Sequence, residues 1–165
     1  MEQTWGRILR KFPAVVSDDL EHEAAFFFSM YVILEQGKHQ GPVNMLLDTG
    51  AGRSIMGEDD LTKLGVEISR LPQSTRPIAG WGGTTESFVL QSPCLVLIDD
   101  EDQSEMFEMP EMLCGKNPRQ VKSKAGQKRF RTVSIPSVIG RDFLRAHSLI
   151  AHIDIRRNEV YLFRE

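Results

Sequence analysis

The stretch that decides the fold is Leu46-Leu47-Asp48-Thr49-Gly50-Ala51, in which an apolar run ends in a carboxylate, a small hydroxyl residue and glycine. The two leucines predict the end of a buried strand, so Asp48 is expected where the chain leaves the core. Gly50 permits a sharp turn and a close approach by a ligand or a second chain. Because aspartate is also common in ordinary turns, the triplet alone leaves a plain turn open.

Three other segments favour a functional role for this loop. Ser54 follows at the sixth position after Asp48, with apolar residues behind it. A glycine-rich segment, Ile78-Ala79-Gly80-Trp81-Gly82-Gly83, predicts a hairpin tip, and an exposed turn is its plain alternative. Near the end of the chain, Val138-Ile139-Gly140-Arg141-Asp142 places two apolar residues and a glycine at the start of a short helix.

The flanking pattern is that of an all-β domain. Residues 26–34 and 43–47 predict a hairpin that leads into Asp48, and residues 149–155 and 159–163 predict a closing hairpin. Many short strands, two short helices and regular turns indicate a barrel-like architecture.

The chain divides into an arm and one domain. Residues 1–23 are mainly polar and charged, and we expect a loosely held arm or a short helix there. Residues 24–165 form the domain, and within it 115–134 is basic, without an acidic residue, so we expect an inserted loop. Residues 99–111 are acidic. The two charged segments are interpreted as solvated loops, with a charged gate, a self-cleavage site or a docking segment as alternatives.

Composition argues against several classes of function. The 165 residues are 41% hydrophobic with a net charge of −3, as in soluble globular proteins, and nothing points to nucleic acid or membrane. The apolar run at 24–34 is shorter than the roughly 20 residues of a spanning helix. With no secretory signal, a cytoplasmic protein is expected. Cys94, Cys114 and the scattered histidines match no metal spacing, so we expect no metal and no cofactor. The two cysteines are expected to be buried free thiols, with a disulfide or a metal role for them as the alternatives.

Taken in this order, these segments resemble the retropepsins, the single-domain aspartic peptidases of retroviruses and their cellular relatives. The resemblance covers residues 26–163, most of the chain. It implies an all-β, closed barrel-like acid-protease fold with a flap hairpin and one short C-terminal helix, equivalent to half of a pepsin-like enzyme. In this resemblance 48–51 is the catalytic loop, 78–83 is the flap, and Val138-Ile139-Gly140 packs beneath the loop.

The resemblance further implies an aspartic endopeptidase with Asp48 as its catalytic residue. Peptide hydrolysis needs a water that is deprotonated and aimed, together with an acid for the leaving nitrogen, and two carboxyl groups sharing a proton supply both. The sequence has a single such triplet, so the second carboxylate has to come from another copy in a homodimer. The alternative is a catalytically silent dimeric peptide-binding or adaptor module of the same fold.

The remaining site residues take their expected roles from the same picture. Those expected to support the catalytic loop are Thr49, Gly50, Ala51 and Ser54. Those expected to bind a peptide or protein substrate are Gly50, Gly52, Arg53, Ile78, Gly80, Trp81, Gly82 and Ile139.

One departure from the family pattern is Gly52-Arg53, which stands where retroviral enzymes often carry acidic residues. One hypothesis is that Arg53 faces the cleft and favours an acidic substrate side chain. The alternative is an arginine that is solvated or paired with Asp142.

Overall fold

The computed structural model describes residues 10–17, 25–80, 83–124, 127–132 and 134–164. The strands are β1 (Lys11–Pro13), β2 (Val15–Ser17), β3 (Ala25–Leu34), β4 (His39–Leu47), β5 (Ile55–Gly57), β6 (Ile78–Gly80), β7 (Gly83–Thr85), β8 (Ser87–Gln91), β9 (Cys94–Ile98), β10 (Ser104–Glu108), β11 (Glu111–Gly115), β12 (Arg119–Lys124), β13 (Gln127–Thr132), β14 (Val138–Ile139), β15 (Ile150–Asp154) and β16 (Glu159–Phe163). The helices are α1 (Glu58–Lys63) and α2 (Arg141–Ala146), with 3₁₀ turns at Glu35–Gly37 and Ile68–Arg70.

The fold is mostly β with two short helices, which confirms the predicted all-β class in broad terms, but the predicted closed barrel is not found among the described residues. The main sheet has the order β10-β9-β3-β4-β14-β5-β11-β8, with β2 also paired to β3, and its two end strands do not pair with each other in the described residues. The order β1-β16-β15 makes a separate sheet. The closure was mispredicted because alternation indicates that a strand exists without indicating which strand it pairs with.

The hairpin of β3 and β4 supplies the centre of the core. Phe28 lies opposite Met45 and Met30 opposite Val43, and all four side chains are buried. Strand β4 begins at His39, earlier than the predicted start at residue 43. Gly41 packs closely there, because a Cβ on it would lie 2.9 Å from Cδ2 of the Leu64 side chain. The two predicted short helices are present as α1 and α2, and α2 and the closing hairpin of β15 and β16 form where they were predicted.

The described part of the N-terminal segment is neither loosely held nor helical. Strand β1 pairs with β16, and β2 pairs with β3. Phe12 is only 1% exposed, and its ring meets that of Phe107 edge-on with centroids 5.5 Å apart. The buried Phe12 ring explains why β1 is held against the domain, because burying an aromatic side chain contributes about 1.5–3 kcal/mol to the stability of the fold. Residues 1–9 and 18–24 lie outside the described ranges.

The basic segment contains a hairpin where a loop was expected. Strands β12 and β13 pair in antiparallel register from Arg119 opposite Thr132 to Lys124 opposite Gln127. In the described residues these two strands pair only with each other. Two paired strands satisfy each other's backbone hydrogen bonds even without an apolar core. The scarcity of apolar residues in this segment therefore led to the wrong prediction of a loop.

Both cysteines are free, as predicted. Cys114 is buried on β11, and burial raises the pKa of its thiol to about 12. Cys94 is only partly buried, so the prediction that both thiols are buried is wrong for Cys94. Across the described ranges, no helix has the length and apolar character needed to cross a membrane.

Candidate active site

The position of Asp48 is set by the middle of the main sheet. The end of β4 pairs in parallel with β14, with Leu46 opposite Val138 and Leu47 opposite Ile139. The Asp48 N–H then donates to the Ile139 carbonyl at 3.1 Å. Asp48 is exposed and directly follows the end of β4, so its carboxylate lies at the surface where the chain leaves the core, as the sequence predicts.

The loop after Asp48 holds one oxygen of its carboxylate. Oδ1 accepts hydrogen bonds from the Gly50 N–H at 2.9 Å and from the Ala51 N–H at 3.2 Å. A Cβ on Gly50 would lie 3.0 Å from this oxygen, so the turn is tight enough to favour glycine. The other oxygen, Oδ2, accepts no hydrogen bond from the described residues. The side chain is therefore oriented and still open to solvent or a partner.

Asp142 ties this loop to helix α2. Its Oδ1 accepts hydrogen bonds from the Ser54 N–H and hydroxyl, both at 2.7 Å, and from the Phe143 N–H at 2.8 Å. Ser54 is 1% exposed, and its hydroxyl also accepts from the Gly140 N–H at 2.9 Å. These contacts place Ser54 between the loop that follows Asp48 and helix α2. Asp142 was missed as an acceptor, although an acid in the first turn of a helix is a recognised signal.

Gly140 brings α2 against the loop at very short range. A Cβ on it would lie 2.5 Å from the carbonyl carbon of Arg53 and 2.9 Å from the amide nitrogen of Ser54. One residue later, the Arg141 N–H donates to the Ala51 carbonyl at 2.9 Å. The segment around Ile139 and Gly140 thus packs directly on the candidate loop.

Helix α2 is also anchored at its far end. The His147 ring lies 5.1 Å from the Phe107 ring and 5.0 Å from the Phe143 ring, measured between centroids. Burial lowers the pKa of His147, and a hydrogen bond to the Glu108 backbone acts in the opposite direction. With both ends fixed, α2 is a firm support for the loop.

The hairpin predicted at residues 78–83 is present. Strands β6 and β7 pair, with Ile78 opposite Thr85 and Gly80 opposite Gly83. At its base the Ile78 side chain packs against Gly115 of β11, where an added Cβ would lie 3.3 Å from Ile78 Cδ1. The predicted substrate contacts Trp81 and Gly82 lie outside the described residues.

Arg53 contacts a residue that the sequence analysis did not single out. Its Nη1 lies 3.5 Å from Oε1 of Glu111, and both side chains are substantially exposed. No ion pair joins Arg53 to Asp142 in the part of the chain that the structure describes. Beside these residues lies a pocket of about 570 Å³, whose charged or loop-derived lining residues are Gly52, Arg53, Glu111, Arg141, Asp142 and Arg145.

Among the described residues, no group of three or more His, Cys, Asp or Glu side chains is arranged to hold a metal ion. The site consists of one oriented carboxylate, that of Asp48, together with a nearby pocket whose lining includes Gly52 and Arg53, two of the residues predicted to bind substrate.

Comparison with known proteins yields matches in structure. No protein-family model matches the chain, and no curated protein matches its sequence. The crystal structure of a retropepsin-like aspartic protease from Rickettsia conorii is similar with a TM-score of 0.51 and 14% identity, over 93% of this chain and 90% of that chain. EIAV protease complexed with the inhibitor HBY-793 aligns with a TM-score of 0.42 and 22% identity, over 80% of this chain and 94% of that chain. At these identities the likeness concerns the fold alone.

Proposed function

Starting from its retropepsin-like fold, we propose that the chain is an aspartic-type endopeptidase, in which water is activated between the two Asp48 carboxylates of a homodimer. The observation that carries the proposal is the exposed carboxylate of Asp48, with one oxygen held by the N–H groups of Gly50 and Ala51. A carboxylate held in this way keeps its second oxygen free to face a water and a symmetry-related mate.

The proposed mechanism uses the two carboxyl groups in different protonation states. One accepts a proton from the water as it attacks the peptide carbonyl, and the other donates a proton to the leaving nitrogen. No cofactor takes part. A single chain has one such loop, so the second carboxyl group comes from the partner across a two-fold axis.

The surroundings of Asp48 support this role through rigidity. The Asp142 carboxylate, the Ser54 hydroxyl and the Gly140 backbone lock the loop to α2. Catalytic groups work best when their supports allow little movement. The substrate is proposed to lie as an extended strand between the loop and the hairpin of β6 and β7, which acts as a flap.

The proposed contacts with the substrate come from two places, the loop that carries Asp48 and the hairpin of β6 and β7. The Gly50 backbone would bind the peptide, and Ile139, whose side chain is fully buried beneath the loop, would support the floor of the cleft. From the hairpin, Ile78, Gly80, Trp81 and Gly82 would cover the substrate.

The first prediction is that Asp48→Asn abolishes cleavage. A denatured mixed protein substrate is incubated with each variant from about pH 3 to pH 7, with and without a pepstatin-type inhibitor. We expect a loss of roughly a thousandfold or more, because an amide cannot exchange the proton. Asp102→Asn is the matched control, since it makes the same change at an exposed turn residue and should cleave like the wild type.

Mixing the two forms tests the dimer directly. If each active site needs two Asp48 carboxylates, activity falls as the square of the wild-type fraction when Asp48→Asn is added under exchanging conditions. A linear dependence, or a strictly monomeric species in sedimentation that still cuts protein, would contradict the proposal. Absence of cleavage with retained peptide binding would instead support the silent binding module.

A further inference from the structure

We propose that the pocket beside the candidate loop is a subsite for an acidic side chain of the bound peptide, and that it selects substrates with Asp or Glu flanking the scissile bond. This inference rests on the proposed function and specifies the substrate class of the same site. The pocket is that of about 570 Å³, called here the arginine pocket.

Three arginines converge on the arginine pocket from two elements. Arg53 comes from the loop that carries Asp48, and Arg141 and Arg145 come from α2, where their spacing of four places them on one helix face. Arg141 also approaches the loop backbone, since its Nη2 lies 3.7 Å from the position of a Cβ on Gly52. Guanidinium groups are the side chains best suited to bind a carboxylate, because their planar donors match its two oxygens.

The two acids that line the pocket do not fully neutralise it, because three arginines stand against two carboxylates. The Asp142 carboxylate is oriented by the hydrogen bonds that its Oδ1 accepts from Ser54 and Phe143. Glu111 contacts Arg53 at 3.5 Å, with 48% and 43% of the two side chains exposed. An exposed pair of that kind contributes little, with a median of about 0–1 kcal/mol.

The remaining charge in the pocket is positive. Within the described residues, neither Arg141 nor Arg145 forms an ion pair. Glu111 therefore lies at one edge of the pocket and is only weakly bound to Arg53. A carboxylate of the ligand can bind Arg141 and Arg145, or it can displace Glu111 from Arg53.

The pocket lies close enough to the Asp48 loop to receive side chains of peptide residues that flank the scissile bond. Asp48 does not line it, whereas Gly52 and Arg53 of the same loop do. The loop backbone is also bound to α2 through the Arg141 N–H and the Ala51 carbonyl. An extended peptide advances about 3.3 Å per residue, so a side chain a few residues away from the cleavage point can reach a neighbouring pocket.

The test measures peptide binding separately from cleavage. A fluorescent uncharged peptide is compared with copies that carry one Glu, moved position by position, and with Gln at the same positions. Binding to the full-length Asp48→Asn protein is read by fluorescence anisotropy. We expect one flanking position where Glu binds roughly fivefold more tightly than Gln. The advantage should shrink when salt is raised from about 0.05 M to about 0.5 M, because ions screen exposed charges.

Two variants with opposite expected signs identify the pocket. Arg145→Gln removes a guanidinium group and should abolish most of the preference for Glu. Glu111→Gln removes the internal competitor and should increase that preference by roughly two- to threefold. Arg156→Gln is the control, because it makes the same substitution at an exposed arginine in the turn between β15 and β16 and should leave the preference unchanged.

The outcomes separate the pocket from the proposed function. Wild-type cleavage without any Glu preference in binding would overturn the arginine pocket and leave the peptidase proposal standing. A Glu preference that depends on Arg145, in a protein that cleaves nothing, would support the pocket and overturn the peptidase. A loss of all peptide binding and of the dimer in Arg145→Gln, alike for Glu and Gln peptides, would place a second copy in the pocket and overturn the inference.

Discussion

At the scale of single residues, Gly140 limits what the candidate loop can tolerate. Its backbone is extended, with φ of −103°, so the need for glycine comes from space and not from conformation. The backbones of Arg53 and Ser54 fill the volume that a Cβ would take. Since backbone atoms cannot rotate away as side chains do, any substitution must push α2 and the loop apart.

We predict that Gly140→Ala destabilises the fold by about 2 kcal/mol or more, because overpacking a tight contact typically costs about 1–3 kcal/mol. Gly52→Ala in the same loop is the control. Its added Cβ would meet only the end of a flexible arginine side chain at 3.7 Å, and its effect should stay within about 0.5 kcal/mol. Urea unfolding of both variants measures the difference. Equal stabilities would show that the contact between α2 and the loop is looser than the structure has it.

At the scale of elements, the hairpin of β12 and β13 stands on a polar base. The Asn117 N–H donates to Glu58 at 2.7 Å, and its side chain donates to Asp59 at 2.8 Å and accepts from the Ile135 N–H at 2.8 Å. These bonds join the base of the hairpin to the first turn of α1. The two strands beyond the base pair only with each other among the described residues.

We predict that the hairpin can be shortened without loss of the fold. Arg119 lies directly opposite Thr132, so replacing residues 120–131 with Asn-Gly closes the chain by a two-residue turn. The midpoint of thermal unfolding should change by no more than about 4 °C, which corresponds to about 1 kcal/mol or less in a domain of this size. Asn117→Ala is a far smaller change, but it should lower the midpoint of unfolding by more than the shortened hairpin does, because it leaves the hydrogen-bonding partners of the Asn117 side chain unpaired. The reverse order of the two effects would mean that the hairpin contributes to the core.

At the scale of the whole molecule, an ion-pair network joins the two ends of the described chain. Arg10 binds Asp99 at 2.7 Å and Glu105 at 2.9 Å, and Arg164 also pairs with Glu105. Asp99 is 4% exposed at the turn between β9 and β10. The network thereby fixes the small sheet of β1, β15 and β16 to an end of the main sheet.

We predict that Asp99 accounts for part of the loss of stability in acid. Burial disfavours its charged form, but the Gln103 N–H and the Arg10 side chain outweigh burial, so the pKa of Asp99 lies below its ordinary value of 3.8. A depressed pKa stabilises the fold above that value, and the contribution disappears as pH falls through the folded pKa. Asp99→Asn should therefore be less stable than wild type at neutral pH, with a difference that narrows between about pH 4 and pH 2. Urea unfolding across this range gives the comparison, and a constant difference would refute the prediction.

The sequence by itself determined the local features of the site. The end of an apolar strand places Asp48 at the surface, glycines allow the turn at 50 and the hairpin at 78–83, and an apolar pair followed by glycine precedes α2. Each of these depends on a few adjacent residues, whose periodicity and turn chemistry are visible without a structure.

Only the tertiary structure decided how these pieces meet. Asp142 binds Ser54 across 88 positions, and Arg53 meets Glu111 across 58. The insertion of β14 between β4 and β5, the open ends of the main sheet and the burial of Phe12 are equally non-local. Contacts of this kind depend on strand register and on closing long loops, and a stretch of sequence carries no periodic signal for either.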